Sequence, residues 1–397
     1  MKKPLKLFIC LVLIAAPALS IGAMDFGLIL DQTAGFGGYG SEGKIDYSGM
    51  LIPRFSFLLG DDKDLYVSAG LRAEYLDSWA FVPELLRTDF TLRFGEGELK
   101  LGRMQYSDPL GFIADGLFDG ARIQYDTSAG TFGAGVWYTG LLYKKRANIA
   151  MTNRDLEKNF EDLNYSDFFN TYFAPRRIVG ALDWGHPALA ELFRINAAII
   201  GQADFADEDA LHSQYLAAKM TFPVSAFTFD LGGSLGLVEY QEEFKIALAG
   251  ELGAAWMLPT PLEDQLSFLG RFTSGVVEEG RVTAFLPITT KPQGEILKAK
   301  LSGLSMLSLD YTARILPSLS ASVGSSYFIR SDLATYSSYG AEGYFLGNEF
   351  YGSVFWSPAS DVLFNLSGGA FLPSLGDAAP SAEAQWRVEL NVILSLY

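Results

Sequence analysis

Residues 86–94 read L-R-T-D-F-T-L-R-F, which puts Leu86, Thr88, Phe90, Leu92 and Phe94 on one side of an extended chain and Arg87, Asp89, Thr91 and Arg93 on the other. That alternation has the period of a β-strand. The turn Gly95-Glu96-Gly97 leads into Glu98-Leu99-Lys100-Leu101, which alternates the same way, and Ala121-Arg122-Ile123-Gln124-Tyr125-Asp126 repeats the pattern after a loop. In a soluble sandwich the apolar side would meet a second sheet and the polar side bulk water. Here the polar side carries arginine and aspartate in nearly every strand, while the apolar side carries large aromatics that flank the strand ends. That suits lipid outside and a polar lumen inside. The fold expected is all-β: a transmembrane antiparallel β-barrel in the outer membrane of a diderm bacterium.

Taking every alternating run as a strand gives eighteen: 25–31, 48–58, 64–75, 86–94, 98–104, 118–126, 131–142, 177–184, 191–204, 211–222, 226–239, 244–258, 264–273, 301–315, 319–330, 346–356, 362–371 and 384–397. An even number lets both chain ends lie on the periplasmic side. Link lengths test the count independently, because such barrels have short periplasmic turns and long outer loops. The links after even strands are short, as at 60–63, 95–97, 223–225 and 316–318, whereas those after odd strands are mostly long: 32–47, 76–84, 105–117, 143–176, 274–300, 331–345 and 372–381. Two outer links, 205–210 and 240–243, are short exceptions. Prolines fall largely at strand ends, where a missing donor costs no ladder bond. Trp184, Trp256, Trp356 and Trp386 also sit near strand ends, as interfacial girdles do.

Residues 1–23 begin with two lysines, continue with an apolar run and end in small residues, which reads as a secretory signal peptide cleaved after Ser20, Gly22 or Ala23. The expected barrel is then residues 24–397. The only cysteine, Cys10, falls within the signal, so the barrel has no disulfide, no thiolate metal site and no cysteine nucleophile. Beyond the signal there is no apolar run of about 18 residues, which excludes a helical membrane protein. Aromatics at 14% and 41 glycines fit many short strands. The net charge of -16 argues against nucleic acid as a partner. The C-terminal strand ends on an aromatic, as barrel-assembly signals do. However, Val388, Leu390, Val392, Leu394 and Leu396 share one side, which leaves Tyr397 one residue out of step.

Projecting the polar phase inward gives Arg54, Arg72, Arg87, Arg93, Arg122, Arg177, Arg194, Lys219, Lys245, Arg271, Lys298, Lys300, Arg314, Arg330 and Arg387. The inward acids are fewer: Glu74, Asp89, Asp126, Asp183, Asp204, Asp230, Glu251, Asp310, Glu349 and Glu389. An acidic protein would thus carry a positive excess of about five inside its pore, while acids gather on loops such as Ala206-Asp207-Glu208-Asp209. Two uses of these arginines stand side by side. They can brace the wall by pairing with the acids, or their unpaired excess can attract anions through a focused field.

Leu101-Gly102-Arg103-Met104 followed by Asp119-Gly120-Ala121-Arg122-Ile123, and later Leu346-Gly347-Asn348-Glu349-Phe350 followed by Ser367-Gly368-Gly369-Ala370-Phe371-Leu372-Pro373, resemble the alginate-export family of outer-membrane channels. The resemblance covers about a quarter of the chain. It implies an eighteen-stranded barrel with an electropositive pore that conducts an acidic polysaccharide, and it implies Arg103 and Arg122 as lumen residues. Arg103 is out of phase with Glu98 and Lys100 unless Gly102 marks a bulge.

The function expected is a passive channel for anionic or polar small solutes, including acidic saccharides, along a lumen lined by Arg54, Arg72, Arg87, Arg93, Arg103, Arg122, Arg194, Arg271, Arg314, Arg330 and Arg387. Expected partners are outer-membrane lipid, the barrel-assembly machinery and those solutes. The alternative is a surface or adhesin-type barrel acting through its outer loops, above all residues 143–176. That loop mixes Lys144, Lys145 and Arg146 with aromatic runs and is too apolar for a solvated tail, so it is expected to fold onto or into the mouth. No cofactor or metal is expected. His186 falls in a periplasmic turn and His212 near an outer loop, so no catalytic triad can form and the chain is read as non-enzymatic.

Overall fold

The computed structural model describes residues 23–206, 209–277, 281–332 and 343–396. Eighteen antiparallel strands form one closed sheet. They are β1 Ala23–Tyr39, β2 Glu42–Leu58, β3 Lys63–Tyr75, β4 Trp79–Phe94, β5 Gly97–Ser107, β6 Asp115–Thr127, β7 Gly130–Tyr138, β8 Arg177–Leu189 and β9 Phe193–Asp204. The other half comprises β10 Leu211–Val224, β11 Phe227–Tyr240, β12 Glu243–Met257, β13 Gln265–Thr273, β14 Leu304–Leu316, β15 Leu319–Arg330, β16 Phe345–Ala359, β17 Val362–Leu372 and β18 Gln385–Leu396. Each strand pairs with its sequence neighbours, and β1 closes on β18 from Leu28↔Leu396 to Tyr39↔Gln385. Closure pairs every strand on both sides, although the β4–β5 ladder runs only from Thr88↔Arg103 to Phe94↔Gly97.

The apolar phase faces out. Leu71, Leu101, Ile123, Val136, Leu182, Ile199, Leu235, Leu309, Val323 and Leu390 are all exposed large hydrophobics on the outer surface. Aromatics mark both rims of this belt. Tyr47, Tyr75, Trp79 and Phe81 cluster at the outer end, as do Phe36 and Trp386. At the inner end Phe227 stacks on Trp256, and Trp356 on Phe364.

The strand count and the alternation of links agree with the sequence reading, but several outer loops differ. Residues 32–47, expected as a loop, extend the β1–β2 ladder to Tyr39↔Glu42. At 17 residues each, β1 and β2 exceed the roughly 9–11 that span a membrane, so their outer ends stand above it. The expected loop 76–84 contracts likewise, because β4 already begins at Trp79. The expected signal segment lies outside the described residues except for Ala23, which opens β1. Tyr397, Asp207 and Glu208 also lie outside them.

Leu86, read from the sequence as outward, points in. Opposite it the register between β3 and β4 shifts at Val67/Ala69, so Ser68 faces two residues, Leu86 and Arg87. Ser68 Oγ accepts from Arg87 N at 3.1 Å, and this bulge turns Leu86 toward a lumen cavity that Arg72 and Arg87 also line.

Candidate functional site

Three outer connections fold inward and knit a plug. Residues 108–114 meet the β13–β14 connection where Ile288 N donates to Ile113 O at 2.7 Å, Asp115 N donates to Thr289 Oγ1 at 2.8 Å, and that hydroxyl donates back to Asp115 O at 3.0 Å. The β7–β8 connection joins them through Thr290 N, which donates to Asn148 O at 2.8 Å, and Lys300 Nζ, which donates to Ala150 O at 2.6 Å. Phe112, Ile113, Ile149, Phe285 and Ile288 are fully buried and pack on Tyr215, Ala217 and Ala247 of the wall. The plug therefore has a dry core of its own, shared with the barrel wall. Small alanines on β10 and β12 leave room for its phenylalanines.

Buried ions fasten the plug. The β7–β8 connection contains three short helices, α1 Lys144–Ala147, α2 Asn153–Phe160 and α3 Phe168–Tyr172. Thr152 and Asp155 form a capping box at the start of α2, and the same Asp155 carboxylate accepts from Arg177 Nη2 at 2.8 Å. Arg177 is fully buried and also reaches Asp204 at 3.0 Å and Gln202 at 2.9 Å. In the β13–β14 connection, Glu349 from β16 accepts from the N–H groups of Glu295, Ile296 and Leu297 at 2.7, 2.9 and 2.8 Å. Asp108 does the same for Leu110, Gly111, Ile113 and Ala114. Its burial pushes the carboxyl up while those four donors pull it down. Burial also holds Lys300 and Lys144 below the usual lysine range.

Against this plug the arginines read from the sequence take several positions. Arg72 and Arg87 line an open cavity of about 640 Å3, together with Arg146 of the plug, Asp31, Thr33, Ser48 and Gln105. Arg387 lines a second cavity, of about 310 Å3, with Lys298, Glu295, Glu389, Asn365 and Tyr351. Arg122 and Arg271 are turned under the plug: Arg122 pairs with Asp183 and lies 5.4 Å from the Tyr106 ring, and Arg271 pairs with Glu251 and lies 4.8 Å from the Phe112 ring. Arg330 is buried at the outer end, where it donates to Asp332 O at 3.1 Å. Arg54 packs over Gly27, while Arg93, Arg194 and Arg314 sit toward the periplasmic rim.

Arg103 lies in the wall itself. No register shift occurs at Gly102, whose φ of +114° keeps the ladder continuous, so Arg103 shares the outward phase of Leu99 and Leu101. It is buried there, forked onto Asp119 at 2.8 and 2.7 Å.

The charge excess expected from the sequence is largely paired. Arg72 and Arg146 share Glu84 at 2.7 and 2.9 Å, Arg87 holds Asp89, Arg93 holds Asp64 at 2.7 Å, and Arg387 holds Asp46 at 2.6 Å. Bracing thus accounts for most of these guanidinium groups, and Arg72, Arg87, Arg146 and Arg387 also line the cavities. Glu84, Asp155 and Asp108 were not singled out in the sequence. Only the Thr152-x-x-Asp155 spacing carried a legible signal, that of a helix start. His186 accepts from its own turn and His212 from Asp204 N, so each ring is engaged locally.

A closed eighteen-stranded barrel with an apolar outer belt and loops folded into its lumen is the architecture of outer-membrane porins. No family model and no curated protein matches the sequence. Solved structures do. Pseudomonas aeruginosa OccK2 (OpdF), in complex with glucuronate, has a TM-score of 0.64 at 10% identity over 95% of this chain and 98% of that one. The outer membrane protein opdK from Pseudomonas aeruginosa gives 0.59 at 12% over 95% and 99%, and Acinetobacter baumannii OccAB1 gives 0.62 at 10% over 96% and 98%. At such identities the shared feature is the barrel fold.

Proposed function

We propose that the chain is a passive outer-membrane channel for small polar and anionic solutes, acidic saccharides among them. The observation that carries this reading is the inward-folded plug, which packs its main core against β5–β12 and a smaller one against β14–β17 and leaves polar cavities beside β1–β6 and β15–β18. A structural anchor would have no use for a wet lumen. The glucuronate bound to OccK2 supports a uronate-sized solute. Arg72, Arg87 and Arg387 are its proposed contacts, through guanidinium donors left over from the wall pairs and through the neighbouring hydroxyls and amides. The likeness to alginate-export channels extends the same proposal to a uronate polymer. Lipid and the assembly machinery would meet the outward strand faces, and no step of covalent chemistry is assigned to the chain. The surface-protein alternative has less support, since residues 144–155 are tied to the lumen wall.

Planar bilayers test the reading. Stable unit conductance that glucuronate reduces is expected, and a membrane that stays closed would overturn it.

A further inference from the structure

The wall is not laddered all the way round. β4 is 16 residues long, yet it pairs with β5 only from Thr88↔Arg103 to Phe94↔Gly97. Above that point β5 and β6 lean into the lumen. Their Gln105 and Leu117, in outward phase, therefore face the cavity of Arg72 and Arg87. The free edge of β4 is capped by side chains. Tyr165 OH donates to Phe81 O, Tyr172 OH to Pro83 O at 2.7 Å, and Arg103 Nη1 to Leu85 O. These acceptors are alternate residues, so they belong to one edge of the strand. Pro83 fits an edge that lacks a ladder, because it has no N–H to offer one. Arg103 Nη2 reaches on to Leu141 O at 3.0 Å, and Val82, Tyr143 and Tyr172 form a small apolar seal behind.

On the outer side the seam is bordered by exposed Leu85, Leu101 and Leu141, below the aromatic cluster of Trp79 and Tyr75. That is the depth of the outer leaflet. On the inner side lies the cavity, with Met50, Ile52, Leu86 and Leu117 beside its arginines. Among the described residues, a path from polar lumen to apolar lipid crosses three side-chain caps, the Arg103 bonds to Asp119 and Leu141, and a few ring contacts.

We propose that this seam is a lateral doorway between the lumen and the outer leaflet, used by small amphipathic solutes. The polar head sits at Arg72 and Arg87, and the apolar body leaves between Leu85 and Leu141 as the segment carrying Tyr165 and Tyr172 swings away. This adds a sideways route to the axial one. Axial conductance reports the first route and lipid contact the second, so either can fail alone.

The test uses a bimane label on Leu117→Cys in a Cys10→Ser background, in phosphatidylcholine vesicles containing phosphatidylcholine spin-labelled high on its acyl chain. Tyr165→Phe with Tyr172→Phe should raise quenching at position 117 about threefold or more over the native tyrosines, because both hydroxyl bonds to the β4 edge are lost. A label on Ser353→Cys, across the lumen, should stay bright. No increase at 117, or equal quenching at both positions, would overturn the doorway. A second readout needs no seam variant: octanoate should slow alkylation of Leu117→Cys about tenfold where acetate does not. Equal rates with the two acids would overturn the amphipathic occupant.

Discussion

Asp155→Asn should undock the plug without dissolving the barrel. The carboxylate serves two structures, since it receives Arg177 Nη2 at 2.8 Å and the N–H groups of Met151 and Thr152 at 3.1 and 3.0 Å. An asparagine oxygen can still cap the helix but brings no charge to a fully buried guanidinium. Removing one partner of a buried pair costs about 3–5 kcal/mol. Asp204 remains 3.0 Å from Arg177, although Arg154 also claims it at 2.8 Å, so the lower figure, ~3 kcal/mol, applies. That is roughly a hundredfold in the docking equilibrium. Hydrogen exchange read by mass spectrometry in micelles would compare amides of residues 144–160 with those of β8 and β9. We expect about hundredfold faster exchange in the first set and little change in the strands, because the ladder does not depend on the loop. Exchange within about threefold of native in residues 144–160 would refute the anchoring role. An equal acceleration of every strand would mean that the ion cluster holds the barrel rather than the plug.

Glu84→Gln leaves Arg72 and Arg146 without their shared carboxylate beside the larger cavity; chloride preference over potassium should rise roughly twofold, and an unmoved reversal potential would show that Glu84 does not set the field. Deleting residues 153–167 should raise unit conductance, whereas an unchanged value would mean that α2 does not narrow the path. Burial raises the Tyr172 hydroxyl from 10.0 to about 12 and shifts Tyr143 the same way. The docked loop then holds more protons than the free loop between those values, so docking is complete below pH 10 and weakens as pH climbs toward 12. A spin label on Asp162→Cys should sharpen across that window, and a spectrum constant to pH 12 would refute the coupling.

The barrel was legible because a strand's two faces are written in every second residue, and eighteen repetitions fix topology through link lengths. What could not be read depended on neighbours remote in sequence. Leu86 changed sides through a bulge whose cause is Ser68 on another strand. The glycines among residues 35–43 resemble a loop, yet they sustain a ladder because β1 and β2 lie within reach of one turn. The arginines form an inward set, but Asp155 of the plug loop and Glu84 and Asp183 of nearby strands neutralise them. Arg103 illustrates the limit most clearly. Its strand phase points to lipid, and its burial is supplied by Asp119 and by Leu141 of a loop.

The plug also constrains the order in which the barrel can be completed. Its core joins Phe112 and Ile113 to Phe285 and Ile288, residues brought in by β5–β6 and by the connection into β14. If strands enter the membrane from either end of the chain, one half of that core waits, wet and unpaired, until the other has been threaded. Closing so long a loop is slow relative to local hairpin formation. Newly inserted barrels would therefore pass through a wide, unplugged intermediate, and the path narrows to its final width only when the carbonyl of Ile113 finds the amide of Ile288.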